Sequence, residues 1–136
     1  MSEATASEAD AVLDFWFGAP GSSEFGSARK AWFSKDAAFD MTIRERFGAL
    51  VERALRGELD NWGEAPQSAL AQVLLLDQFT RNAFRDTPRA FAGDARALAT
   101  AIAVVDSGRD AALDRYERLF LYLPFEHSEH LAMVER

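Results

Sequence analysis

Apolar residues recur along this chain at intervals of three and four, the spacing that gathers them on one side of an α-helix. Val12, Leu13, Phe15, Trp16 and Phe17 form the first group, with Ser7 as expected N-cap, Asp10 completing a weak capping box, and Gly18 as the stop. Residues 19–27 hold one Pro, three Ser and two Gly and read as a loop. Ser34 or Asp36 caps a second helix whose stripe is Phe39, Ile43, Phe47, Leu50, Val51, Ala54 and Leu55, with Arg44, Glu45, Arg46, Glu52 and Arg53 on the outer side and Gly57 at its end. A short connection over residues 58–65 carries Trp62.

Pro66 suits the first turn of a third helix. Leu70, Val73, Leu74, Leu75, Leu76 and Phe79 leave that helix apolar on more than one side, which places it in the middle of a domain. Thr87 and Pro88 stop it and start a fourth, with the stripe Phe91, Ala95, Leu98, Ile102 and Val105 and Gly108 as its stop. Asp110 caps a fifth through Leu113, Tyr116, Leu119, Phe120 and Leu121, which Pro124 breaks. A sixth begins near His127 or Ser128. No stretch alternates with period two. The prediction is an all-α domain over residues 1–136, residues 1–6 flexible, built as a stack of antiparallel helical hairpins with about six helices. Helix starts near 36, 66, 88 and 110 invite comparison with helical solenoids, yet no unit aligns on another and the tetratricopeptide pattern of Trp, Leu-Gly, Tyr and Pro is not visible.

Composition narrows the function classes. Absent cysteine removes disulfides and thiol chemistry. The 22 acidic against 15 basic side chains, a net charge of -7, argue against nucleic acid. Five of the acids precede Arg29 with no base among them, so the body is nearly balanced and an acidic start is unlike a basic leader. No apolar run approaches the roughly 20 residues of a membrane span; Asp77 ends the longest compact one, Val73–Leu76. A cytoplasmic protein without membrane contact is expected.

The candidate chemistry lies where the third helix changes character. At about 100° per residue, Leu70, Val73, Leu74, Asp77 and Arg81 share a face, with Gln78, Asn82 and Arg85 beside it. Three readings stand: a buried network in which Arg81 pairs with Asp77, a ligand pocket in which Arg81 and Arg85 hold an anion, or a plain surface stripe carrying an ordinary i,i+4 pair. The second candidate is the histidine segment Leu123-Pro124-Phe125-Glu126-His127-Ser128-Glu129-His130. Glu126 with His130, or His127 with His130, has metal-ligand spacing, but no zinc-hydrolase motif is present, and neither metal nor cofactor is expected. Ser128 beside His127 reads as an N-cap rather than a catalytic dyad. His127 is either a general acid or base or a histidine bonded to a neighbouring helix. Trp16, Trp32 and Trp62, near helix ends, either plug junctions or wall a pocket.

Several segments resemble the bacterial family catalogued as domain of unknown function 924: Leu13-Asp14-Phe15-Trp16-Phe17-Gly18, Trp32-Phe33, Lys35-Asp36, Phe39-Asp40, Gly57-Glu58-Leu59 with Trp62, Leu74 through Asn82, Arg89-Ala90-Phe91 with Asp94, Arg118, Tyr122-Leu123-Pro124-Phe125 and His127-Ser128-Glu129. The resemblance runs from about Val12 to the C-terminus. It implies a tetratricopeptide-like helical fold and no established activity, so no catalytic residue carries over. Its motif residues coincide with the polar stripe at Asp77, Gln78, Arg81 and Asn82 and with His127 and Glu129. Family members usually continue into a further helical segment with Phe-Gly-Arg-Phe and His-Arg-Asn motifs. Against that pattern this chain is expected to be a shortened unit, with an exposed helical edge at Leu131, Met133 and Val134 that favours a homodimer.

Two functions follow as expectations. One is a binding or scaffolding module for a small anionic ligand or peptide, using Gln78, Arg81, Asn82, Arg85 and Trp16. The other is an enzyme on a small anionic substrate, with His127, Asp77 or Glu129 catalytic and Arg81 and Arg85 clamping the anion. The enzyme reading requires Asp77, Arg81 and His127 to line one water-accessible cleft.

Overall fold

The computed structural model describes residues 3–23 and 25–134, with side chains described for residues 8–23 and 25–128. Five long helices follow one another with short links: α1 (Glu3–Phe17), α2 (Ala37–Leu55), α3 (residues 66–83), α4 (Asp94–Asp106) and α5 (Arg115–Val134). No strand occurs among the described residues. Short 3₁₀ turns at Lys30–Trp32, Asp60–Glu64, Pro88–Phe91 and Arg109–Ala112 fill the connections. The arrangement is compatible with a stack of helical hairpins.

Helix α3 is the centre. It contacts α1, α2, α4 and α5, and Leu70, Val73, Leu74, Leu75, Leu76 and Phe79 are all fully buried. Complete burial of such side chains contributes roughly 1.5–3 kcal/mol each before entropy is charged against it. Val12 and Trp16 from α1, Ile43, Phe47 and Val51 from α2, and Phe120 and Leu121 from α5 close around it. Between Leu74 and Phe79 the helix widens into a π-helical turn, the first departure from the ideal wheel.

Local end signals formed where the pattern put them at α2 and α3. The Asp36 carboxylate accepts from the Ala38 and Phe39 amides, and the Glu58 N–H returns to the Arg53 carbonyl across Gly57 at φ 81. Pro66 opens α3. Trp62 is buried, plugging the junction before α3.

Three boundaries differ. Helix α1 already runs from Glu3, so Ser7 lies inside it rather than capping it; the alanine-rich Glu3-Ala4-Thr5-Ala6 stretch carries no breaker. The expectation of flexibility over residues 1–6 falls on side chains outside the described residues. Pro124 does not divide the C-terminal region. Helix α5 passes through it, starting from a reciprocal capping box in which Asp114 and Glu117 each accept the other's backbone N–H at 2.9 Å. Asp110 therefore caps no long helix, and Ser128 sits inside α5. The side chains of Leu131, Met133 and Val134, where an exposed edge is expected, lie outside the described side chains.

The third difference is in α4. Thr87-Pro88 starts only a 3₁₀ turn, and α4 begins at Asp94 behind Gly93. Its core face is Ala97, Ala101 and Val104, not the predicted stripe; Phe91 is 59% and Ile102 40% exposed. The cause is a close backbone crossing. A Cβ on Gly93 would lie 2.2 Å from the Leu76 carbonyl oxygen, so Gly93, Ala97 and Ala101, spaced by four, let α4 lie directly on α3 while the larger residues move to the rim.

Candidate functional site

The polar half of α3 meets α2, α4 and α5 through two carboxylates. Asp77 is fully buried. Its Oδ1 accepts from Arg81 Nη1 at 3.1 Å and lies 2.8 Å from His127 Nδ1 on α5; its Oδ2 accepts from Gln78 Nε2 at 2.8 Å. A carboxylate without partners would be very costly at such a depth, and these three groups replace its water. Because a carboxylate only accepts, Nδ1 of His127 carries the hydrogen in this contact. Arg81 also donates from Nη1 to the Asp77 carbonyl (2.7 Å) and grips Asp94, the first residue of α4, at 2.8 and 3.1 Å. Its guanidinium carbon stands 5.2 Å from the centroid of the Phe91 ring.

Asp40 on α2 is the second anchor and is 5% exposed. Its Oδ1 accepts from Asn82 Nδ2 at 2.8 Å and from Arg85 Nη2 at 3.1 Å, and its Oδ2 from Arg85 Nε at 2.7 Å. Burial pushes the Asp40 carboxyl up, but the hydrogen bonds from Arg85 and Asn82 and the charges of Arg85 and Arg44 prevail and hold it below the ordinary aspartate value. The bond to Asp40 correspondingly raises Arg85.

Between these clamps and the end of α1 lies a cavity of about 320 Å³. Gln78, Arg81, Asn82 and Arg85 from α3 and Trp16 from α1 all face it, so the five residues singled out for ligand binding share one wall. The opposite wall, Trp32, Phe33, Ser34 and Lys35, comes from the segment after the first loop. That segment is fastened to the open C-terminal carbonyls of α1: Arg29 donates to the Phe15 and Trp16 carbonyls at 2.7 and 2.6 Å, and the Trp32 indole to Trp16 at 2.9 Å. Among the described residues the wall carries three cations, Lys35, Arg81 and Arg85, and no carboxylate. The Trp16 indole nitrogen is buried with no acceptor among the described residues.

Asp77, Arg81 and His127 do meet, but not as a cleft open to water. Asp77 is sealed behind its partners, and the side chains of Arg81 and His127 are 24% and 27% exposed. His127 is not among the residues lining the cavity. The Glu129 side chain lies outside the described residues. Asp40, Asp94 and Lys35 join the site as well; the sequence marks them only as motif residues of the family resemblance. Asp40 left a signal, since it lies three and seven residues before Ile43 and Phe47 on the buried stripe of α2.

An all-helical scaffold whose central helix turns from apolar core to a doubly clamped polar face is the class this geometry defines. The chain belongs to the family described as bacterial protein of unknown function (DUF924), which matches residues 12–136. It is similar to the solved structure of a protein of unknown function from Agrobacterium tumefaciens, at 42% identity and a TM-score of 0.80 over 90% of this chain. The chain spans 65% of the length of that structure. No curated protein matches it. No helix among the described residues is long and apolar enough to cross a membrane.

Proposed function

We propose that the protein is a binding module, a single tetratricopeptide-like helical domain working in the cytoplasm, that holds a small carboxylate- or phosphate-bearing ligand in the cavity between α1, α3 and the segment around Trp32. The observation that carries this reading is the donor set of the lining: Lys35, Arg81 and Arg85 line the cavity, while their ion-pair partners Asp86, Asp94 and Asp40 are not among its lining residues. Arg81 and Arg85 are pre-set by Asp94 and Asp40, so an anion meets guanidinium groups already ordered, at little further entropic cost. Trp16, Trp32 and Phe33 give the ligand's apolar part a surface, and the idle Trp16 N–H offers a donor. Asp77 orients rather than reacts in this reading, because its lone pairs are committed to Arg81, Gln78 and His127.

The test is a thermal-shift screen of small carboxylates and phosphates, followed by calorimetry on the wild type and on Lys35→Glu. The Lys35 side chain is 70% exposed and its contact to Asp86 is a surface pair, so reversing its charge leaves the fold intact. A binder whose affinity falls about tenfold in Lys35→Glu, at unchanged Tm of the free protein, is expected. A screen without binders, or binders indifferent to Lys35, overturns the reading.

A further inference from the structure

On the side of α3 away from the polar clamps, a cavity of about 620 Å³ opens between the Asp60–Glu64 turn, α3 and α4. One side chain there is only half satisfied. Gln72 is 2% exposed on a helix whose neighbouring positions are Ala71 and Val73, where leucine or methionine would fill the space without a polar cost. Its Nε2 donates to Asp60 Oδ1 at 3.4 Å, while its Oε1 is buried and has no donor among the described residues. Turning the amide over would set Oε1 against a carboxylate, so the orientation is fixed by chemistry. A buried acceptor left idle is expensive, and such groups call for a partner supplied from elsewhere.

The rest of the wall says what that partner carries. Arg96 packs over Gly57, where a Cβ would come within 2.9 Å of its Nη1, and stands 3.4 Å from Asp60. Arg109 is held by the Gly63 carbonyl and by Ser107 Oγ, the latter at 2.7 Å from Nε, which leaves Nη2 without an acceptor among the described residues. Glu64 lies on the same wall, and Ala99 and Ala103 keep the α4 side shallow. The signs are therefore mixed, unlike the all-cationic cavity across α3. Asp60 and Glu64 would repel a phosphate dianion, whereas a ligand with both charges satisfies everything present.

We infer that this cavity is a second, separate site that takes a free α-amino acid, its ammonium donating to Gln72 Oε1 beside Asp60 and Glu64 and its carboxylate accepting from Arg109 and Arg96. The inference does not depend on the anion site proposed above.

The probes are the standard L-amino acids, each with its N-acetyl and its carboxamide derivative, added at about millimolar concentration to the whole chain and followed by Tm and by amide NMR shifts. At least one free amino acid is expected to raise Tm and to move the Gln72 side-chain signals, with both capped forms at least about tenfold weaker. Gln72→Leu is expected to abolish binding without lowering the Tm of the free protein. If that variant fails to fold, Arg109→Gln serves instead, with the same loss expected. The inference is overturned by no shift with any amino acid, by binding that survives either variant, or by a crystal structure in which an ordered water alone satisfies Gln72 Oε1 while the amino acid sits elsewhere.

Discussion

His127 Nδ1 lies 2.8 Å from Oδ1 of Asp77, a residue fifty positions earlier, and this contact ties the C-terminal half of α5 to the π-helical turn of α3. It exists because α5 runs through Pro124 instead of ending there. Proline removes one helical hydrogen bond and strains the preceding turn, a cost of about 3 kcal/mol in an isolated helix. In this molecule Pro124 is buried, and the helix is held by contacts with α3 and α4 on the same side.

Asp77→Asn keeps the shape of the side chain and removes its charge. Arg81 then loses one of its two carboxylates, and the new amide group must face His127 or Arg81 with its donors. A loss of about 2–4 kcal/mol in urea denaturation is expected. Stability within a few tenths of the wild type would show that the three-way contact contributes nothing to the fold.

The Asp40 clamp should weaken in acid. Its folded pKa is depressed, so the carboxylate's contribution is complete above the ordinary aspartate pKa and is lost as pH falls through the lower folded value. Stability should therefore drop below about pH 4. Asp40→Asn should lie about 1–3 kcal/mol below the wild type at neutral pH and show a flatter acid limb. Parallel pH–stability curves for the two proteins would contradict this assignment.

Two glycines make a controlled comparison. Gly93→Ala puts a methyl group 2.2 Å from the Leu76 carbonyl oxygen, backbone against backbone, and should cost about 3 kcal/mol or more or prevent folding. Gly48→Ala, in the middle of α2 with open space around its Cβ, should instead stabilise by roughly 0.5–1 kcal/mol. Circular dichroism melts of both variants read the difference directly.

Binding at the cationic cavity should weaken with salt. Lys35 is largely exposed and Arg81 and Arg85 partly so, and added ions screen charges at such depths. A loss of about three- to tenfold in affinity from low salt to about half-molar salt is expected by calorimetry. An affinity independent of salt would assign recognition to the aromatic walls instead.

Features decided within a few residues of each other were legible in the sequence. The Asp36 cap, the Gly57 stop, Pro66 at the start of α3 and the apolar-to-polar change after Leu76 all rest on local chemistry. The five side chains gathered in the cationic cavity were readable as a group because four lie on one helix. What stayed hidden depends on distant partners. The face of α4 is set by the Gly93–Leu76 crossing, and a hydrophobic count favours Phe91 and Ile102 over the small residues such a crossing needs. Pro124 signals a break in any local reading, and only packing overrides it. Asp94 and Asp40 look like ordinary helix acids until Arg81 and Arg85 reach them from α3.

The π-helical turn from Leu74 to Phe79 has a bearing on how the gene can change. A wide turn holds one residue more than an α-turn of the same rise. Losing a single codon within it would let the helix close to an ordinary turn without breaking the reading frame or the core below. Because the extra residue is taken up inside one turn, the side chains beyond it would keep their directions, leaving Arg81, Asn82 and Arg85 facing Asp94, Asp40 and the cavity. A one-residue deletion there should leave a helical protein that keeps its polar face, with an unchanged helical circular dichroism spectrum and binding at the cavity retained.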